Sequence, residues 1–257
     1  MRNYMVFLQK EMLGLLRTKR ILALAGMFLF FAITSPLMAR YMAEFVAMLV
    51  PAEEQLGFQI PDPVWTDSFT QFFGNLAQIG NVTVILLCMG AIVSERRRNI
   101  ADLLFTKGLG YSTFVMAKFT AMAGLVLFFM LVSVLIVHFG TTMLFDTAGG
   151  LGEALLAGLL FALFMIMVVA LTLLASAIAK GTAIAAMLAF IGFLAIVVIS
   201  ALPVIGDRLP GGLLSRSLEV SMGYYHGDLF GNVLVTLFSG ALFLLLAVLV
   251  LRRQEGA

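Results

Sequence analysis

Ionisable side chains are scarce in this sequence, and one group of them stands between residues 94 and 118: Glu95, Arg96, Arg97, Arg98, Asp102, Lys107 and Lys118. Apolar runs flank it, residues 82–93 before and 119–139 after. The chemistry such a stretch offers is grip: a charged helical connector between two apolar segments presents ion-pair partners to a soluble protein. Bond-making chemistry finds no support. There is no Gly-x-x-x-x-Gly-Lys loop to cradle a nucleotide. His138 and His226, taken with Asp146, Glu153 and Asp228, lack metal-ligand spacing, so no metal is expected. The serines and threonines in the apolar runs have no base placed beside them by sequence. Cys88, the single cysteine, lies inside an apolar run and reads as a small packing residue.

A second polar group is made of amides. Gln71, Asn75 and Gln78 follow at i, i+4 and i+7, which puts them on one face of a helix. They are candidates for a translocation path or a subunit seam; an exposed helix end or ordinary packing between helices explains them as well. Asn81, Val82 and Thr83 match a glycosylation acceptor, but they fall within an apolar run and are set aside.

The elements that must position these groups are membrane helices. Hydrophobic residues make up 62% of the 257 residues, charged residues only 12%, and the mean hydropathy is +1.08. Soluble domains carry about 25% charged residues. The long uninterrupted apolar runs suit helices that satisfy their own backbone in lipid, not barrel strands. The expected fold is an all-α integral membrane protein with six transmembrane helices and one transmembrane domain over residues 1–257.

Residues 1–20 are expected to form an amphipathic helix on the membrane surface, with Tyr4, Phe7, Leu8, Met12, Leu15 and Leu16 on its apolar face. No small-residue cleavage site follows, so this segment is expected to be retained. The spans are placed at 21–39, 69–93, 119–139, 154–178, 183–202 and 229–251. Pro36 should kink or end the first. Residues 40–68, with Glu44, Glu53, Glu54, Asp62 and Asp67, form an acidic external loop with Trp65 as an interfacial anchor. Residues 94–118 make the cytoplasmic connector between spans two and three. Residues 203–228 dip back into the outer leaflet as a re-entrant segment or fold over the mouth of a pathway.

Charge sets the orientation. With the N-terminus inside, thirteen of the sixteen Lys and Arg residues fall on the inner side, and only Arg40, Arg208 and Arg216 fall outside. Both termini are then cytoplasmic, in a multi-pass protein of a bacterial cytoplasmic membrane. No charge relay lies within the spans, so an ion-coupled pump is disfavoured and energy must enter through the connector.

Taken in order, the segments QKEMLGLLRTKR (9–20), FFAITSPLMARYM (30–42), FTQFFGNLAQIGNVTVILLCMGAIVSER (69–96) and ADLLFTKGLGYSTFVMAKF (101–119) are similar to the permease subunits of type 2 ATP-binding cassette (ABC) transporters, exporter-like. The resemblance covers nearly the whole chain. Glu95 matches the acid that the family carries at the inner end of span two, and Lys118 the basic residue that opens span three. Asn99 stands where the family often has Gly, and the family favours Pro or Arg near Lys107.

The resemblance implies a half-transporter. A second permease chain, identical or related, packs beside this one, and a separate ATPase subunit docks on the connector and holds the ATP and Mg. The chain itself then carries no cofactor and is not an enzyme. The implied ATPase-coupling residues are Glu95, Arg96, Asn99, Ala101, Asp102, Leu103, Leu104, Phe105, Lys107 and Lys118, with Glu95 paired to a neighbouring arginine or to the N-terminal helix. Arg96 to Arg98 serve equally as a topology anchor beside anionic lipid. The expected cargo is an amphiphile: a hydrophobic or amphipathic peptide, a drug or a lipid-like molecule. Two other classes compete, an intramembrane lipid-modifying enzyme and a non-transporting membrane anchor or sensor. No nucleic-acid partner is expected.

Overall fold

The computed structural model describes residues 2–49, 62–202, 206–224 and 229–255. Among these the regular structure is all helical, with no strand. Six helices are long and apolar enough to cross a membrane, which fits a chain whose backbone polar groups must find their partners within each segment.

The chain begins with α1 (Arg2–Arg17), then turns at Lys19, whose φ is +57°, into α2 (Arg20–Leu49). A broken span follows: α3 (Trp65–Asn75), a π-helical turn (Leu76–Gly80) and α4 (Asn81–Cys88). Two short helices, α5 (Val93–Arg97) and α6 (Ile100–Thr106), lead to α7 (Tyr111–Phe145). Next come α8 (Leu151–Ile178), α9 (Thr182–Ser200), a 3₁₀ turn at Gly206–Arg208, α10 (Gly212–Ser221) and α11 (Leu229–Glu255).

The core is α8. In its most apolar stretch 72% of residues are buried, against 17% for α9 and 11% for α11. It packs against α4, α7, α9, α10 and α11. Small residues permit that crowding: a Cβ added at Gly158 would lie 2.7 Å from Val134 Cγ2, so α7 and α8 approach as closely as they do only because that side chain is absent. Around the α8–α9 turn Ala175, Ala179, Ala185 and Ala189 are buried in the same way.

Several boundaries differ from the expected ones. Helix α2 runs past Pro36 to Leu49, so residues 40–49 of the anticipated acidic loop are helical. The proline ring faces Gly140 of α7, where a Cβ would lie in ordinary contact at 3.5 Å from Pro36 Cγ. The second span starts at Trp65, whose ring lies across Gly149; a Cβ there would sit 2.9 Å from Trp65 Cη2, and the φ of +69° independently favours glycine. Helix α7 starts at Tyr111, which places Lys118 inside a long helix rather than ahead of it.

Part of the 203–228 segment forms α10, with Leu213, Ser217, Val220 and Ser221 buried against neighbouring helices that include α8 and α3. Glu53, Glu54, Pro51, Pro61, Pro203, Tyr225, His226 and Asp228 lie outside the described residues.

Candidate functional site

Three helices bring four charged side chains together at one end of the bundle. Lys10 and Glu11 come from α1, Glu95 from α5 and Lys118 from α7. Lys10 Nζ lies 2.9 Å from Glu11 Oε1 and 2.7 Å from Glu95 Oε1. Lys118 Nζ lies 3.0 Å from Glu11 Oε1 and 3.0 Å from Glu95 Oε2. The four therefore close a ring of alternating charge. Three of its contacts are hydrogen bonds donated by the lysines; the fourth, Lys118 to Glu95, is an ion pair without hydrogen-bond geometry.

Lys118 is only 3% exposed, and its ammonium stands over Phe114 at 4.8 Å and Phe7 at 5.7 Å. An ammonium so enclosed is stable there only because carboxylates and ring faces surround it. Burial works against the charge on Lys10, yet its hydrogen bonds to Glu95 and Glu11 outweigh that, and its ammonium is held above the ordinary lysine value.

The connector is tied to the core on its other side. Between α4 and α5 the span breaks at residues 89–92, and Ser176 of α8 supplies partners there. The backbone N–H groups of Ile92 and Val93 donate to Ser176 Oγ at 3.1 Å, and that hydroxyl donates to Met89 O at 2.8 Å. Arg96 donates to Ala177 O at 2.8 Å, satisfying a carbonyl in the last turn of α8 that has no helical donor left. Arg20 at the start of α2 donates to Leu87 O at 3.2 Å.

The turn into α6 passes through Asn99 at φ +56°, ψ 18°. This left-handed conformation is open to glycine and, among side-chain residues, most readily to Asn and Asp. Helix α6 is then seated by Ala101, which is fully buried, and by Phe105, whose ring lies 4.3 Å from Tyr111 and 5.3 Å from Phe114. Phe114 in turn contacts Phe7 at 5.6 Å, so one aromatic cluster underlies α6 and the charge ring together.

The sequence-named residues thus divide. Glu95 and Lys118 enter the ring, and Arg96 reaches α8. Ala101, Leu104 and Phe105 face inward, whereas Asn99, Asp102, Leu103 and Lys107 are exposed. Gln71, Asn75 and Gln78 lie far from this end: the first two are half-buried, and Gln78 is exposed beside Ile79. The π turn begins just after Asn75 and contains Gln78, so the simple helical spacing drawn from sequence does not hold across it.

Sequence reasoning missed four residues. The N-terminal helix was one of the two partners expected for Glu95, but Lys10 and Glu11 were not singled out on it. Ser176 gave no signal at all. Asn81, set aside as a sugar acceptor, is fully buried and donates through Nδ2 to Leu76 O at 3.3 Å and Ala77 O at 3.1 Å, so it holds the π turn.

The arrangement ties α1, α5, α7 and α8 together by ionic and hydrogen-bond contacts. Among the described residues no three His, Cys, Asp or Glu side chains group as a metal site. In comparisons with known proteins, no family model matches the chain and no curated protein matches it significantly.

Proposed function

We propose that the chain is the membrane-spanning permease subunit of an ATP-driven exporter of the type 2 ABC kind, working with a second permease chain and a separate ATPase that holds ATP and Mg. One observation carries this reading: the ring of Lys10, Glu95, Lys118 and Glu11 ties α1, the α5–α6 connector and the start of α7 into one unit. On that unit the exposed residues Asn99, Asp102, Leu103 and Lys107 are available to a partner. A push received by α6 passes to α7 through the aromatic cluster and to α8 through Ser176 and Arg96.

The excess of Lys and Arg makes this end cytoplasmic, with both termini on the same side. The cargo is an amphiphile, because the spans offer amide, aromatic and Met contacts in place of fixed charge; Gln71, Asn75 and Gln78 are the candidates to meet it. The Asn99 conformation agrees with a family position often held by Gly.

The test is co-purification with the ATPase encoded beside this chain, followed by coupled assays. Glu95→Ala is expected to insert normally, to retain the ATPase and to lose export while hydrolysis continues. Export at the wild-type rate by this variant removes Glu95 from the mechanism. Failure of the chain to bind any ATPase or to alter its hydrolysis removes the transporter reading.

A further inference from the structure

Beside the charge ring, between α1, the first turn of α2, the break in the second span and α7, lies a cavity of about 210 Å³. Its charged lining is Lys10, Arg20, Arg98 and Lys118 against only Glu11 and Glu95. Within the ring the two lysines and two glutamates compensate one another, so the uncompensated positive charge belongs to Arg20 and Arg98. Arg20 uses its guanidinium on a single carbonyl, Leu87 O, and a guanidinium has five N–H donors to give. Arg98 is exposed, and among the described residues its side chain makes no hydrogen bond or ion pair, its backbone N–H alone donating to Arg96 O.

We propose that this cavity binds a phosphate-bearing anion, with Arg20 and Arg98 as its ligands. The inference stands independently of the transporter reading. Guanidinium forks suit phosphate oxygens, which they engage in pairs. One water takes roughly 30 Å³ of liquid, so a space of about 210 Å³ holds a phosphate group together with part of what it is attached to. The position fits a headgroup: Arg20 opens an apolar span, and Leu15 and Met122 give the cavity an apolar wall. Basic pockets between spans at a cytoplasmic face are where acidic headgroups are held. The same chemistry also accepts a free phosphate ion, and the experiment separates the two sources.

The purified full chain in neutral detergent is titrated with dioctanoyl phosphatidylglycerol, with dioctanoyl phosphatidylcholine and with inorganic phosphate at matched ionic strength, and bound ligand is read by native mass spectrometry and thermal unfolding. Phosphatidylglycerol is expected to bind more tightly than phosphatidylcholine. Arg98→Gln should weaken it about tenfold, the loss of one charge-assisted contact. Arg252→Gln, at the far end of α11 and outside the cavity, should leave it unchanged. Because the Arg98 side chain is exposed and makes no hydrogen bond or ion pair among the described residues, its variant is expected to fold and to isolate the ligand interaction; Arg20→Lys, which keeps the charge but loses the fork, should weaken binding as well. Binding of inorganic phosphate without preference among lipids, lost in Arg98→Gln, supports the anion site and assigns it to a free ion. Equal retention of both lipids with no phosphate binding, or an Arg98→Gln variant that binds as the wild type does, overturns the proposal.

Discussion

The two ends of the bundle treat their polar groups in opposite ways. At the end holding the ring, Lys118 and Glu95 are enclosed and ion-paired, though Glu95 Oε2 accepts no hydrogen bond, Ser176 uses its hydroxyl both to donate and to accept, and Arg96 closes a helix terminus. In the other half, Ser35, Ser68, Ser133, Thr141 and the Nδ1 atom of His138 are buried without a hydrogen-bond partner among the described residues. Matched networks in a low-dielectric interior are costly to break, because each member leaves another unpaired. Unmatched hydroxyls have nothing to lose. The ring end is therefore expected to behave as one rigid piece, with rearrangement cheaper in the far half.

This contrast can be broken by substitution, with thermal or denaturant unfolding of the full chain in mild detergent as the common measurement. The largest effect is expected from Lys118→Met. It leaves Glu95 and Glu11 with only Lys10 between them, and orphaning a buried charge costs about 3–5 kcal/mol. Next is Ser176→Ala, which strips the partner from the Ile92 and Val93 N–H groups and should cost roughly 1–3 kcal/mol. A wild-type stability for either variant would mean that the ring end is not the rigid one. Smallest is Thr141→Val in the far half: no hydrogen bond is lost, and the change should stay within about 0.5 kcal/mol or stabilise slightly. A loss as large as that of Ser176→Ala would erase the distinction between the two halves.

The helical, six-span character was readable from the sequence because hydropathy in runs this long leaves few alternatives. Boundaries were less readable, since they depend on neighbours: α2 continues past Pro36 while packed against α7, and Trp65 begins its helix over Gly149. In the site, the apolar runs marked out the charged connector, and the family resemblance singled out Glu95 and Lys118 within it. The N-terminal helix was one of two partners expected for Glu95, and Lys10 of α1 meets it; which side chains of α1 would do so was not readable, because Lys10 and Glu11 are 85 and 107 residues distant along the chain from the groups they meet. Periodicity says which face of α1 is polar, but not what stands opposite. Ser176 and Asn81 serve breaks in a helix, and an unbroken apolar run hides both the break and its repair.

The rigid-unit claim is tested most directly by a double-mutant cycle across the ring: Lys118→Met, Glu95→Gln and the two together. If the ring is one network, the double variant should be less destabilised than the sum of the singles, with a coupling of about 1–3 kcal/mol. Additive losses would contradict it, for they would mean that α5 and α7 are held by separate contacts and that a push on the connector has no ionic link to the third span.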